Sequence, residues 1–472
     1  MKPHRIAMLA LPLLLAACAV GRPPAGVAAP LPPAWHAPLP HGGSVGDLAR
    51  WWQRMNDPVL SELIAASQRV SPDLASARAR IEEARAGRAA ATAALLPSLD
   101  GVGSVVRSYT QPPQPPTSVA QLGLQSAWEL DLFGGNRAAV DAAQARLAGA
   151  QAGWHEARVA VAAETALSYL RLRACERQLL VAENDARSRA ETARLSQLSQ
   201  DAGFTAPATA ALARASAAEG AARVRQQRAE CEVELKSLVA VTAIEEPALR
   251  RSLAGALYDV PPDGLFTIGA IPAQMLAQRP DVRRAELDVA AASAEVGQAD
   301  AARYPRLSLS GSIAAGQVRL NGGDSTAKTW SVGPLALSVP LFDAGRRAAD
   351  VVAARGRYDA AVVTYQARVR QAVSEVEQAL VTLDSAQGRT GDAQTAAEGY
   401  RVSFVATEAR YRGGLASLVE LEDARRTLLA AQTALVSLER ERAAAWVTLY
   451  RAAGGGWQAD TADTPDTVAA RP

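Results

Sequence analysis

The sequence predicts a mainly α-helical protein that also carries a transmembrane β-barrel, and three observations predict it. Two long stretches, about 136–201 and 344–412, run without proline and repeat apolar residues at helical spacing. Four shorter stretches alternate apolar and polar residues with the two-residue period of strands. The chain also aligns with itself at an offset of roughly 210 residues, so that a helix, two strands and long helices each occur twice.

At the N-terminus Lys2 and Arg5 precede an apolar run, residues 6–17, too short to span a bilayer, which is the pattern of an export signal over residues 1–17. Leu15-Ala16-Ala17-Cys18 resembles a bacterial lipobox. That resemblance implies a covalent lipid on Cys18 as the first mature residue, the alternative being an ordinary secretory signal before an unrelated cysteine. Ala19, in place of Asp, implies by the same resemblance sorting to the outer membrane. Acyl chains contribute roughly 0.8 kcal/mol per buried CH2, so several hold a protein to a bilayer without a spanning helix. Residues 18–46, rich in proline and glycine, read as a lipidated extended segment.

The chain has 472 residues and a net charge of +2 from 50 basic and 48 acidic side chains, with no basic block, so nucleic acid is not an expected partner. No later stretch reaches the ~18 consecutive apolar residues of a membrane helix, so any crossing must use strands. Alanine dominates the apolar fraction, which favours long thin helices over a bulky core. Residues 47–70 and 72–95 read as two short helices. In the first long helix Val140, Leu147, Trp154 and Val161 recur every seven residues; in the second, so do Val362, Val369, Val376 and Leu383. A repeat of seven keeps its stripe on a partner only if the helices supercoil, so these are coiled-coil-like helices. At 1.5 Å per residue, ~65 residues reach about 100 Å, which suits a periplasmic α-barrel better than an enzyme. Each long helix is followed by a shorter one, at 207–240 and 416–452.

The duplication is most specific at its punctuation. Pro72, Asp73 and Ala77 match Pro280, Asp281 and Ala285; Pro97, Leu99, Gly103 and Ser104 match Pro305, Leu307, Gly311 and Ser312. Leu132, Phe133, Arg137, Asp141 and Arg146 match Leu341, Phe342, Arg346, Asp350 and Arg355. The repeats span 47–250 and 251–457, with 458–472 as a flexible tail.

Strands are expected at about 97–110, 118–132, 306–317 and 329–342. Leu307, Leu309, Gly311 and Ile313 alternate with serines, and Leu122, Leu124, Trp128 and Leu130 oppose Gln121, Gln125, Glu129 and Asp131. The fourth strand changes phase at Gly333-Pro334, where a bulge or bend is expected. Four strands cannot close a barrel, and unpaired edges in lipid cost several kcal/mol per backbone group. The chain must therefore oligomerise, and three copies supply twelve strands with apolar faces to lipid and Gln121, Gln125, Ser308 and Ser310 to a wet lumen. Tyr109 and Trp330 are expected near the outer rim, Tyr304, Trp128, Phe133 and Phe342 near the inner one, and residues 110–117 and 318–328 as external loops. The competing reading is a soluble sandwich with one polar face.

The stretches WWQRMNDPVLSELI from Trp51, SPDLASARARIEEARA from Ser71, ELDLFGGNRAAVDAAQA from Glu129, QRPDVRRAE from Gln278, PLFDAGRRA from Pro340 and LYRAAGGGW from Leu449 carry a resemblance. In content and order they are similar to the outer-membrane efflux factor family, the TolC-like exit ducts, and most to its lipoprotein branch serving resistance-nodulation-division pumps. The match runs from about 47 to 457; Met55 and Ser71 depart where an aromatic and an Asn are usual. The resemblance implies a homotrimer in outer-membrane lipid. It also implies a helical tunnel through the periplasm, closed at its inner tip until a periplasmic adaptor (membrane fusion protein) and an inner-membrane pump engage it. Turns at Gly203 and at Gly413-Gly414 suit helix reversal at that tip. Tyr411, Glu420 and Asp423 match positions that line the family's periplasmic aperture, where crowded carboxylates favour cations. The first repeat offers Thr209 and Leu212 instead, so the acidic ring rests on one repeat.

Cys175 and Cys231 stand 28 residues either side of Gly203, level with each other in an antiparallel hairpin, and a disulfide or two buried thiols fits that placement. His4, His36, His41 and His155 form no local metal-ligand set or triad, and no phosphate-binding fingerprint occurs, so no catalytic site, metal or soluble cofactor is expected. The expected function is a passive exit duct for drugs or other small molecules. The alternatives are a duct for metal ions or secreted protein, a non-spanning lipoprotein scaffold or adaptor, and, weakest, a hydrolytic lipoprotein.

Overall fold

The computed structural model describes residues 20–32, 35–37, 52, 57–109, 116–254, 276, 279–320 and 323–455. Cys18, the export signal and the 458–472 tail lie outside these residues. The described elements are α1 (Pro58–Val70), α2 (Pro72–Ala93), β1 (Ser98–Ser108), β2 (Thr117–Leu130), α3 (Gly135–Asp201), α4 (Pro207–Thr242), α5 (Glu246–Leu253), α6 (Pro280–Ala301), β3 (Arg306–Leu320), β4 (Gly323–Ser338), α7 (Arg346–Arg412) and α8 (Leu418–Ala452). The chain divides into two compact units, each described by itself.

The first unit gathers residues up to 30, Ala77–Gly153 and Arg283–Arg368. It holds the four strands as one antiparallel sheet in the order β1-β2-β3-β4. Both long helices start beneath strand ends, and in both a carboxylate satisfies first-turn N–H groups that no helical carbonyl can reach. Asp131 accepts from the Asn136 and Arg137 amides at 3.1 and 2.9 Å; Asp343 accepts from those of Gly345 and Arg347 at 3.0 and 3.2 Å. Asp131 precedes its Leu-Phe pair and Asp343 follows one, so the two repeats reach the same cap from different positions. The extended N-terminal segment is strapped to the helices. Arg22 pairs with Asp141 at 2.7 Å, and the carbonyls of Pro23 and Pro24 accept from Ser293 and Tyr358.

The second unit gathers 31–76, Trp154–Val282 and the chain from Val369. Its core joins Leu60, Leu63, Tyr169, Leu238, Leu249, Leu380, Leu383 and Leu449, all fully buried. Asp57 caps α1 through the Leu60 amide at 3.0 Å, and its second oxygen accepts from the Tyr169 hydroxyl at 2.6 Å. Arg173 in turn donates to that hydroxyl and to the Leu253 carbonyl, so one polar chain ties α1, α3 and α5 together. Of the seven-residue stripes, Leu147, Val161, Val369, Val376 and Leu383 are buried, whereas Val140, Trp154 and Val362 are half-buried.

Two sequence expectations are corrected in the outer half of the sheet. Residues 318–328 are not a loop: β3 runs to Leu320 and β4 begins at Gly323, with Arg319 and Asp324 opposite each other and ion-paired at 2.6 Å. The strands therefore reach beyond 306–317, and the fourth starts before 329 and ends at Ser338 rather than 342. Trp330 consequently sits level with Ile313, Leu124 and Gly101, at mid-ladder and not at the outer rim. Tyr109 does directly follow the end of β1.

Candidate functional site

The register sorts the sheet into two faces. Leu124 stands level with Gly101 and Ile313, Leu122 with Gly103 and Ala315, and Trp128 with Leu309 and, beyond it, Leu335. The side chains of one face are thus Leu99, Val105, Leu122, Leu124, Ile313, Trp330, Val332, Leu335 and Leu337, every one of them exposed in the protomer. Val332 at 81% and Trp330 at 77% exposure have no cover at all. On the other face Gln121 stands level with Ser104, Gln125 with Asp100 and Ser312, and Glu129 with Ser308. Ser312 and Ser331 share a hydrogen bond of 2.9 Å across β3 and β4.

The ladder shifts register between Leu309 and Gly311, opposite Gly333-Pro334. That is where the sequence places the bulge, and Ser310 stays on the polar face, level with Ala127. Two glycines on the polar face have no freedom. A Cβ at Gly123 would meet the Ile313 carbonyl oxygen at 2.4 Å, and one at Gly316 the Ala120 carbonyl oxygen at 2.6 Å. At the inner end Phe133 stacks on Tyr304 with centroids 4.9 Å apart, and Trp128 donates to the Leu95 carbonyl.

Both helix reversals close with the same pair of bonds. Gly203 and Phe204 donate to the Gln200 and Ser199 carbonyls; Gly414 and Leu415 donate to those of Tyr411 and Arg410. Gly203 and Gly414 take φ of 80° and 72°, the left-handed cap that ends a helix without steric penalty only in glycine. Phe204 and Leu415 point into solvent.

The three aperture residues of the sequence reading are close in the fold and differ in setting. Tyr411 is half-buried against Leu418 and Leu421, its hydroxyl 3.2 Å from Ser196. Glu420 and Asp423 are exposed. Glu420 forms a capping box with Ser417 and lies 3.8 Å from Arg410; Asp423 pairs with Arg426. The Ser417 bonds to Glu420, with Arg410 beside it, hold this carboxyl below the usual range. Crowding between copies would act in the opposite direction.

Sequence reasoning missed the charges beside them. Arg189 and Arg425 are buried, and between them Glu422 accepts from Arg189 at 2.6 Å and from Ser216 at 2.7 Å. Arg189 also pairs with Asp185 at 2.8 Å, while Arg425 reaches Glu422 and donates to Ser188 and Thr192 at 3.0 Å. The signal was available: Arg425 falls four residues after the buried Leu421, on the stripe that packs inward.

Cys175 and Cys231 meet across α3 and α4 with Cα atoms 5.5 Å apart and form a disulfide in the structure. Among the described residues there is no group of His, Cys, Asp and Glu able to hold a metal ion, and no helix long and apolar enough to cross a membrane.

An antiparallel sheet with one apolar and one polar face, in a chain that also carries long paired helices, suits a bilayer-inserted channel. The chain belongs to the outer membrane efflux protein family, whose model matches residues 63–241 and 271–455. It is 29% identical over 479 residues to the pyoverdine export outer membrane protein OpmQ of Pseudomonas putida, covering 97% of this chain and 99% of that one. It is 30% identical to nodulation protein T of Rhizobium leguminosarum bv. trifolii, covering 94% and 96%. Among solved structures, the outer-membrane channel OprN superposes with a TM-score of 0.83 at 30% identity over 93% of this chain and 99% of that one. VceC of Vibrio cholerae superposes at 0.75 and 27% identity over 87% and 99%. The chain is accordingly an outer-membrane efflux channel that extends into the periplasm.

Proposed function

We propose that the chain, as a homotrimer anchored by lipid on Cys18, is the passive exit duct of a tripartite system. An inner-membrane pump of the resistance-nodulation-division type, joined to it by a periplasmic adaptor, delivers drugs or other small molecules. The observation that carries this is the sheet: an exposed apolar face backed by a hydrogen-bonding one, with β1 and β4 each lacking a second neighbour among the described strands. In lipid those edges must pair, and three copies give twelve strands around a lumen lined by Gln121, Gln125, Ser308 and Ser312. A non-spanning scaffold leaves this face without a solvent that suits it.

The duct does no chemistry on its cargo, and energy comes from the pump. Its aperture is lined by Tyr411, Glu420 and Asp423, and the Cys175–Cys231 bridge braces the first hairpin in the oxidising periplasm. Relatives are named for pyoverdine export, solvent efflux and toluene efflux, so related ducts serve chemically unlike small molecules. The test is complementation: expressed with its adaptor and pump in a strain stripped of exit ducts, the chain restores export of pump substrates. Correct insertion beside both partners without any export overturns the proposal.

A further inference from the structure

The apolar face of the sheet changes character before the strands end. Along β2 the rows from Leu130 to Ala120 cover about 34 Å, or about 26 Å of depth at a tilt of ~40°, which is the full height of an outer-membrane apolar band. Beyond Ala120 the same face turns polar. Gln317 and Thr326 stand level with Ala120, and the next row of that face is Arg107, Ser118, Arg319 and Asp324. Lys328 lies just inside the edge of the band, level with Leu122 and Ala315 and one row outward from Trp330. Three cations thus meet a single carboxylate, and Asp324 is already engaged by Arg319 through both oxygens, at 2.6 and 2.8 Å. The side chains of Arg107 and Lys328 are exposed and have no hydrogen-bond or ion-pair partner among the described residues.

The opposite face at this depth is uncharged. Val106, Val119, Val318 and Ser325 form one of its rows, and Ser104, Gln121, Gly316 and Ala327 the next. The cations are therefore turned away from the bore and do not serve the cargo. A lysine inside the apolar band is unfavourable unless its ammonium runs outward along the strand to an anion at the edge, and its four-carbon stem allows that. These rows stand at the strand ends remote from the helices, hence at the outer surface of a channel that extends into the periplasm. There the band meets lipid headgroups, and unpaired basic groups facing a headgroup layer fit phosphate. β1 and β4 are the two edges of the sheet, so closure of a trimer puts Lys328 of one copy and Arg107 of the next on adjoining strands.

We propose that the phosphates of an outer-leaflet glycolipid bind at the seam between copies, held by Lys328 of one chain and Arg107 of the next, and clamp the closed barrel. This rests on the trimeric duct reading, and two readouts separate the failure of one from the failure of the other. Full-length protein and the double variant Arg107→Gln, Lys328→Gln are reconstituted in phosphatidylcholine vesicles alone, with lipopolysaccharide, with the same glycolipid stripped of its phosphates, or with inorganic phosphate. Glycolipid retained per chain after detergent extraction reads the site; the temperature at which the SDS-resistant oligomer dissociates reads the clamp. The wild type should retain several-fold more phosphorylated than dephosphorylated glycolipid and dissociate at a higher temperature with it. The glutamine variant, as stable as the wild type in phosphatidylcholine alone, should show neither preference, and the charge-keeping variant Arg107→Lys, Lys328→Arg should behave as the wild type. Equal retention by the wild type and the glutamine variant, an equal effect of the dephosphorylated glycolipid, retention without stabilisation, or the same stabilisation by inorganic phosphate overturns the proposal. A glutamine variant that assembles in no lipid also overturns it, because the fold itself would then need these side chains. A wild type that stays a single chain in every vesicle refutes the trimeric duct instead, and retention still decides whether the two cations take the glycolipid.

Discussion

Leu124 and Gln125 are neighbours in sequence and sit on opposite faces of β2, near its middle. Leu124 stands level with Gly101 and Ile313, and Trp330 follows across the next strand, so its apolar row lies at mid-ladder, which the proposed membrane placement sets at the bilayer centre. Gln125 stands level with Asp100 and Ser312 on the wet side. An arginine on the lipid face at midplane costs about 2–4 kcal/mol per protomer, and one in a polar lumen costs close to nothing. At 1.4 kcal/mol per factor of ten, Leu124→Arg should lower the folding equilibrium roughly 30- to 700-fold per protomer. Gln125→Arg, facing Asp100, should be neutral. The assay is refolding into lipid vesicles across a urea series, read as the fraction of SDS-resistant oligomer. Equal tolerance of the two variants, or the reverse order, would refute the assignment of faces and with it the membrane placement of the sheet.

Gly316→Val should abolish assembly, because its Cβ would lie 2.6 Å from the Ala120 carbonyl oxygen, while Gly101→Val, with nothing within 4 Å, should assemble; oligomer yield on gels separates them. Replacing Cys175 and Cys231 together by serine should destabilise the first hairpin by at most about 4 kcal/mol, the chain-entropy value for a closed loop of this length. Denaturation midpoints measure that loss, and free thiols at these positions in non-reduced, denatured protein would contradict the bridge. Glu420 has its carboxyl held low in the folded state, so its contribution is present above the unfolded carboxylate pKa and is lost as pH falls through the lower folded value. Protection of the first turn of α8 from hydrogen exchange, taken relative to the intrinsic amide rate at each pH, should therefore fall on acidification, and Glu420→Gln should remove that dependence. Replacing Glu420 and Asp423 together by alanine should raise basal conductance in planar bilayers; unchanged conductance and cation preference would remove them from the aperture.

Much of this architecture was legible because periodicity survives in sequence where packing is one-sided. The seven-residue stripes from Val140 and Val362 identified α3 and α7, and the alternation around Leu122 and Leu309 identified strands and faces. The outer ends of β3 and β4 were not legible. Arg319, Asp324 and Lys328 look like a loop, because strand ends that leave hydrocarbon for water no longer need an apolar face, and only the ladder through the Arg319–Asp324 pair shows them as sheet. At the tip, Glu422 and Arg425 read as two more charges among the many acids and arginines that suit surface pairs. Their partners Ser188, Arg189, Thr192 and Ser216 are more than two hundred residues away, so only the fold brings them together. The capping carboxylates Asp131 and Asp343 escaped the repeat alignment for another reason: they serve one purpose from unmatched positions.

The most direct test of the account is the conductance of purified, full-length protein in a planar bilayer. The account predicts discrete, water-filled channels from a particle whose mass is that of three chains. A stable single chain, or an oligomer that inserts and passes no current, would contradict it.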